Sequence, residues 1–181
     1  MNKTELRQKV KATLSKVPSS DFLKWNISLS KNLSSFLRHE NSENKVIGGY
    51  APLLQEPVWS LDLARNAKLA FPSFNHEMIF KLSGFDCLEK RFDFGVEILG
   101  PCEQAEVVIP DILLVPGLSF SDVGERLGRG KGYYDRYLAS FNGVRIGLCY
   151  ECQMSSEIKT EVHDQKMNFI VTEENIYRIR S

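Results

Sequence analysis

The spacing of apolar residues changes along the chain, from a helical period at the start to short apolar runs further on. Residues 3–16 carry apolar side chains every three or four positions, which predicts an amphipathic helix. The segment Ser20–Arg38 repeats this spacing after a proline, with Ser20 or Asp21 as the expected N-terminal cap. The pattern therefore predicts two consecutive helices.

Short apolar runs separated by loops predict strands in the rest of the chain. Asp111–Val115 has the clearest pattern, because a continuous apolar run between two prolines is typical of a strand buried on both faces. Another strand, Lys68–Phe71, is expected to stop at Pro72, and helices are predicted near Ser60–Asn66 and over Gly132–Ser140. The remaining predicted strands are Lys45–Tyr50, Glu77–Lys81, Val96–Leu99, Val144–Cys149 and Phe169–Thr172. Strands that alternate with helices predict an α/β fold with a mainly parallel sheet.

Composition adds limits to this picture. Residues 1–181 contain no internal repeat, low-complexity tract or linker, so we expect a single domain. The 23 basic and 23 acidic residues balance, so no global field favours nucleic acid or an anionic membrane as a partner. No apolar run reaches the ~18 residues of a membrane span, and the charged start lacks a signal-peptide core, so we expect a cytoplasmic protein.

The four cysteines are too few for a disulfide scaffold. Cys149 and Cys152 form a lone C-x-x-C pair, for which a zinc role would need a second pair of ligands. A redox role would need a helix that begins directly after a strand. We expect two ordinary thiols.

The segment with the clearest chemical signal is the glycine-rich loop within Pro116–Leu138. Arg126, Arg129 and Lys131 alternate with glycines there, and a helix is predicted to begin near Tyr133. Glycines let backbone N–H groups converge on an anion, and a helix N-terminus adds partial positive charge. The spacing fits neither a Walker loop nor a dinucleotide-binding fingerprint. The loop therefore indicates an unusual polyphosphate cradle, with a solvated glycine and arginine turn as the alternative.

At this loop the sequence resembles a known family. The run RLGRGKGYYDRYL at 126–138, preceded by ILLVPGLSFSDVGE, resembles the signature of the 5-formyltetrahydrofolate cyclo-ligases, also called methenyltetrahydrofolate synthetases. The resemblance covers nearly the whole chain, because further family segments follow in the family's order: Lys3-x-x-Leu6-Arg7, Tyr50-x-Pro52 with Glu56, Phe94-Gly95-Val96, and His163-Asp164 before Phe169-Ile170-Val171-Thr172. It implies a three-layer α/β/α domain similar to the sugar-phosphate isomerase and CoA-transferase group.

The resemblance also implies a reaction. The family uses ATP and Mg²⁺ to convert 5-formyltetrahydrofolate to 5,10-methenyltetrahydrofolate, with release of ADP and phosphate. The formyl oxygen is phosphorylated first, and nitrogen 10 of the folate then attacks that carbon. Because phosphoryl transfer depends on neutralised oxygens, Arg126, Arg129 and Lys131 are the expected catalytic residues. The expected partner is this folate alone, with or without a polyglutamate tail, and the expected state is a monomer.

Carried over residue by residue, the resemblance implies three groups of site residues. The ATP-binding group is Lys3, Arg7, Arg126, Leu127, Gly128, Arg129, Gly130, Lys131, Gly132, Tyr133 and Tyr134. The folate-binding group is Leu53, Glu56, Phe94, Arg129, Gly130, Lys131, Gly132 and Tyr133. The metal ligands are Asp135 and Asp164, since Mg²⁺ prefers carboxylate oxygens. Without the resemblance, the preferred interpretations are a first-turn helix acid for Asp135 and a turn or capping residue for Asp164.

One segment departs from the family pattern. The family often has a second acid after the position of Glu56, and here that position is Val58. This departure leaves open a related ATP-dependent kinase or ligase with another substrate. A catalytically silent nucleotide- or folate-binding relative is the third hypothesis, although Lys131, Asp135 and Asp164 are all retained.

Overall fold

The structure is a computed structural model that describes residues 2–40, 42–61, 67–74, 77–93, 96–159, 161 and 164–180. Within these residues the helices are α1 (Lys3–Leu14), α2 (Ser19–His39) and α3 (Tyr133–Ser140). The strands of the first half are β1 (Val46–Gly48), β2 (Lys68–Phe74), β3 (Met78–Leu82), β4 (Glu89–Asp93), β5 (Val96–Gly100) and β6 (Val107–Val108). Those of the second half are β7 (Ile112–Pro116), β8 (Ser119–Phe120), β9 (Arg126–Leu127), β10 (Val144–Leu148), β11 (Phe169–Val171) and β12 (Ile176–Arg178).

Eight of the described strands form one sheet in the order β12-β11-β10-β7-β1-β2-β3-β6. The five central strands, from β11 to β2, run parallel, whereas β12, β3 and β6 pair antiparallel at the edges. Strands β4 and β5 form a separate hairpin, as do β8 and β9. The sheet is therefore mainly parallel, as the sequence predicts.

The side chains of β7 show how the layers form. Ile112 and Leu114 join a buried cluster with α2, whereas Leu113 and Val115 join a second cluster with Leu138 of α3 on the opposite face. Successive residues of a strand point to opposite faces, so a strand covered on both sides is apolar throughout. Helices thus cover both faces of the sheet, and the three-layer α/β/α fold is confirmed. Helix α1 packs separately through Leu6, Val10 and Leu14.

Three local predictions need correction or lie outside the described residues. Strand β2 runs through Pro72, because its pairing with β1 ends at Ala70 and the missing N–H faces the side without a strand partner. Helix α2 is capped by Pro18 and not by Ser20 or Asp21; the Pro18 carbonyl accepts the first helical hydrogen bonds. The helix predicted near residue 60 falls mainly on residues 62–66, outside the described residues. Of the described helices, none combines the length and apolar character needed to cross a membrane.

Candidate active site

A cavity of about 330 Å³ lies beyond the carboxyl ends of β1, β2 and β7. Its wall combines residues at or just after the ends of these strands with the glycine-rich loop and strand β5 of the β4–β5 hairpin. Ligands of open α/β sheets bind at this edge, because loops from several strands converge there. From the strands and the hairpin, the lining residues that the sequence analysis did not predict are Tyr50, Ala51, Pro72, Phe74, Ile98, Leu99, Pro116 and Gly117.

The glycine-rich loop turns sharply before α3. Gly130 and Gly132 adopt φ values of +97° and +70°, a region that favours glycine. Gly132 is also the N-cap of α3 and provides no side-chain hydrogen bond to the first turn. The first-turn N–H groups of a helix have no intrahelical partners. Because Gly130, Gly132 and Tyr133 line the cavity, this helix end is suited to receive an anion.

Two of the three loop cations are already paired. Arg126 is buried, forms an ion pair with Asp135 and donates from Nη1 to the Pro116 carbonyl at 3.1 Å. The Arg129 Nε donates to Glu56 Oε1 at 2.7 Å. Lys131 is exposed, and within the described part of the chain its ammonium has no hydrogen-bonding partner. The loop therefore presents one unengaged cation and two that are held by carboxylates.

Glu56 links the loop that follows β1 to the glycine-rich loop. Its carboxylate is nearly buried and accepts from Arg129 through Oε1 and from the Leu53 N–H through Oε2 at 2.9 Å. The Glu56 N–H in turn donates to the Leu53 carbonyl at 3.0 Å. Arg129 also donates to the Leu54 carbonyl at 3.2 Å. The predicted folate contacts Leu53 and Glu56 and the predicted loop cation Arg129 thus lie together in one wall.

Helix α1 shares a buried cluster with Leu127 of this loop and hydrogen-bonds to the loop through Arg7. The Arg7 Nε donates to the Gly128 carbonyl at 2.9 Å. Lys3 lies one turn earlier and pairs with Asp164 at 2.8 Å and Glu161 at 3.0 Å. Burial lowers the pKa of the Lys3 ammonium, but hydrogen bonds to these carboxylates outweigh that effect and raise it. Arg7 therefore contacts the glycine-rich loop, whereas Lys3 and Asp164 pair outside the cavity lining.

The two predicted metal ligands occupy different surroundings. Asp135 lines the cavity beside Arg126, whereas Asp164 accepts from Lys3 and from the Glu161 N–H at 2.8 Å. Among the described residues, no group of three or more metal-ligating side chains comes together. Mg²⁺ commonly takes only one or two carboxylates together with phosphates and waters. The Asp135 carboxylate on the cavity wall fits that requirement.

Aromatic residues open α3. Tyr134 packs against Arg126, whose guanidinium lies 5.6 Å from its ring centre, and its buried hydroxyl has no hydrogen-bond partner among the residues that the structure describes. Burial raises the pKa of this hydroxyl, so it stays a protonated donor in the cavity wall. Tyr133 packs edge-on against Phe74 at 5.4 Å. The predicted folate contact Phe94 lies outside the described residues, as does His163 of the C-terminal family segment.

The C-x-x-C pair has the properties of ordinary thiols. Cys149 is buried, and burial raises the pKa of its thiol. Burial also raises the pKa of Cys152, to about 11. Both thiols are therefore protonated near neutral pH, which disfavours metal binding and redox exchange, because both need a thiolate.

Comparison with known proteins gives consistent matches along the chain. The model of the "5-formyltetrahydrofolate cyclo-ligase family" matches residues 1–173. A mouse protein named 5-formyltetrahydrofolate cyclo-ligase is 24% identical over 191 residues, which cover 96% of this chain and 94% of that protein. A Haemophilus influenzae protein of the same name is 34% identical over 118 residues, which cover 61% of this chain and 62% of that protein. The solved structure of Aquifex aeolicus 5,10-methenyltetrahydrofolate synthetase has a TM-score of 0.82 and 27% identity, and covers 100% of this chain and 94% of its own.

Proposed function

Because this chain belongs to the 5-formyltetrahydrofolate cyclo-ligase family, we propose that it converts 5-formyltetrahydrofolate to 5,10-methenyltetrahydrofolate with ATP and Mg²⁺, releasing ADP and phosphate. The observation that carries this proposal is the cavity in which a glycine-rich loop, three cations and the start of α3 meet Glu56. One wall suits a polyphosphate and the other suits a polar heterocycle. A cyclo-ligase needs both in one cavity.

The phosphate side of the reaction belongs to the glycine-rich loop. ATP supplies the phosphoryl group that turns the formyl oxygen into a leaving group. Lys131 and the first-turn N–H groups of α3 would hold phosphate oxygens, and Arg7 steadies the loop through the Gly128 carbonyl. Arg126 and Arg129 add positive charge and are held in fixed orientations by carboxylates. Preorganised charge of this kind stabilises a transition state without reorganisation during the reaction.

Magnesium is assigned to Asp135, with Asp164 as the second carboxylate. When bound, Mg²⁺ neutralises phosphate oxygens and orients them. The Asp135 carboxylate lines the cavity, and its ion pair with Arg126 fixes its direction. Asp164 pairs with Lys3 at the start of α1, so its assignment rests on the family pattern.

The folate side is assigned to Glu56, Leu53, Tyr133 and Phe94. A nearly buried carboxylate is suited to accept hydrogen bonds from the N–H groups of a pterin, and aromatic faces are suited to stack on its ring. We expect a monomer in the cytoplasm. Because the chain has no net charge, no global field favours nucleic acid or an anionic membrane as a partner.

The test is an absorbance assay with purified protein. The methenyl product absorbs in the near ultraviolet and the substrate does not. Product should form only when both ATP and Mg²⁺ are present, with one ADP released per product. Product formation without ATP, or ATP consumption without cyclisation, would overturn the proposal. Omission of Mg²⁺ and addition of a chelator serve as matched controls.

The departure at Val58 gives no support to a different substrate. The Val58 side chain is 55% exposed and is not among the residues that line the cavity. Its N–H is engaged by Asn26, away from the glycine-rich loop. The hypothesis of a related kinase or ligase therefore loses its main argument.

A further inference from the structure

Residues 57–60, which directly follow Glu56, are hydrogen-bonded to two side chains of α2. The Val58 N–H donates to Asn26 Oδ1 at 3.0 Å, and the Ser60 N–H donates to Ser30 Oγ at 3.0 Å. Asn26 and Ser30 are four residues apart and share one face of the helix. Two backbone N–H groups of segment 57–60 are thus hydrogen-bonded to one face of α2.

The same segment is fixed from its other side. Trp59 is buried, and its Nε1 donates to the Tyr50 carbonyl at 3.1 Å. The Tyr50 hydroxyl donates back to the Pro57 carbonyl at 3.2 Å. Because Tyr50 lines the cavity, the position of segment 57–60 is coupled directly to the cavity wall.

Asn26 has a second partner that brings it closer to Glu56. The Tyr150 hydroxyl donates to Asn26 Oδ1 at 2.7 Å and lies 3.5 Å from the Glu56 carbonyl oxygen. Tyr150 is buried between α1 and α2, where it contacts the rings of Phe22 and Trp25. The Asn26 amide oxygen therefore accepts hydrogen bonds both from Tyr150 and from the segment that directly follows Glu56.

We propose that Asn26 is a positioning residue for the folate side of the cavity, acting through Val58 and Tyr150 on Glu56. This inference rests on the proposed function, since it assigns Glu56 to the folate. The Glu56 carboxylate accepts hydrogen bonds from the Leu53 N–H and from Arg129. A shift of segment 57–60 would therefore disturb both the acid and the loop cation that depends on it.

The experiment compares Asn26→Ala with Ser30→Ala, a matched control that also removes an acceptor to segment 57–60 but lies further from Glu56. Calorimetric titration without ATP should show about tenfold weaker binding of 5-formyltetrahydrofolate by Asn26→Ala, equal to about 1.4 kcal/mol. Ser30→Ala should bind within about twofold of the wild type, since it loses one neutral hydrogen bond away from the cavity. Asn26→Asp keeps an acceptor oxygen and should restore most of the affinity.

A second readout does not depend on the function. In the ligand-free protein, amide exchange at Leu53 reports the hydrogen bond to the Glu56 carboxylate. It should accelerate in Asn26→Ala and stay unchanged in Ser30→Ala. If Asn26→Ala does not fold, Tyr150→Phe removes only the hydroxyl and should weaken folate binding about threefold.

The outcomes separate the two claims. Unchanged Leu53 exchange and unchanged folate affinity in Asn26→Ala would overturn the positioning role. Equal losses in Asn26→Ala and Ser30→Ala would overturn it too, because they would show a general effect on the fold. A wild type that does not bind the folate while Leu53 exchange responds as expected would overturn the proposed function alone.

Discussion

Replacing Arg129 and Lys131 in turn separates catalytic charge from structural charge within one loop. Both cations line the cavity, so each alanine variant should lose preorganised charge near the transferred phosphoryl group. Loss of one such donor costs about 2–4 kcal/mol of transition-state stabilisation, or roughly 30- to 1000-fold in kcat/KM. The two variants should therefore be similarly impaired in the absorbance assay.

Their stabilities should differ, because Arg129 compensates a nearly buried carboxylate and Lys131 does not. Arg129 Nε lies 2.7 Å from Glu56 Oε1, and the side chains are 36% and 7% exposed. Two charges about 4 Å apart interact by about 4 kcal/mol at an effective dielectric constant of 20. The exposure of Arg129 reduces this through solvent screening, so about 1–2 kcal/mol is expected for Arg129→Ala. For a chain of this size that corresponds to a fall in Tm of about 3–6 °C.

Calorimetric measurements of Tm, made together with the activity assay, test this prediction. Lys131→Ala should melt within about 1 °C of the wild type, as expected for an exposed cation. Adding Glu56→Gln to Arg129→Ala should recover Tm, since no unpaired carboxylate remains, but should not recover activity. Equal melting temperatures for the two single variants would refute the structural role of the pair. Full activity in either variant would refute its catalytic role.

Three further predictions concern other groups. Asp135→Asn and Asp164→Asn should each raise the Mg²⁺ concentration for half-maximal activity. The double variant should lose less activity than the sum of the two single losses, because both residues are assigned to one ion. Unshifted Mg²⁺ titrations in both single variants would contradict the metal assignment. Burial raises the pKa of the Glu173 carboxyl above its ordinary 4.5, so ionisation destabilises the fold as pH rises. Glu173→Gln should accordingly raise Tm at pH 7 and leave it unchanged near pH 4, and the same gain at both pH values would contradict this. Cys149 is buried and burial raises the pKa of its thiol, so iodoacetamide at pH 7.5 should label exposed Cys87 before Cys149 in mass spectra, and equal rates would speak against a protected thiol.

The fold could be predicted from the sequence where all residues of an element have the same degree of burial. Strand β7 is buried on both faces, so its apolar run is unambiguous. Strand β4 reads Glu-Lys-Arg-Phe-Asp, and its exposed residues carry no apolar pattern. Proline normally ends a strand, and only the absence of a β1 partner beyond Ala70 allows Pro72 within β2. That absence depends on pairing between distant segments.

The site, like the fold, could be predicted from the sequence only in part. The family resemblance is confirmed by the match over residues 1–173, and the loop and Arg7 are close in space as the motif implies. The pairing of Arg129 with Glu56 joins residues 73 positions apart, so no local pattern could reveal it. Asn26 belongs to no motif, and its proposed role follows only from the hydrogen bonds that its amide oxygen accepts from Val58 and Tyr150.

The order of strands has a consequence for how the chain folds during synthesis. Strand β7 lies between β1 and β10, so the middle of the sheet requires segments from both halves of the chain. When β1 and β2 leave the ribosome, the apolar surface of α2 that later contacts β7 and β10 is still uncovered. Contacts between distant segments slow folding, and uncovered apolar surface favours aggregation in the interval. A nascent chain that stops before β10 leaves one edge of β7 unpaired, so the middle of the sheet is complete only after residues 144–148 have been synthesised.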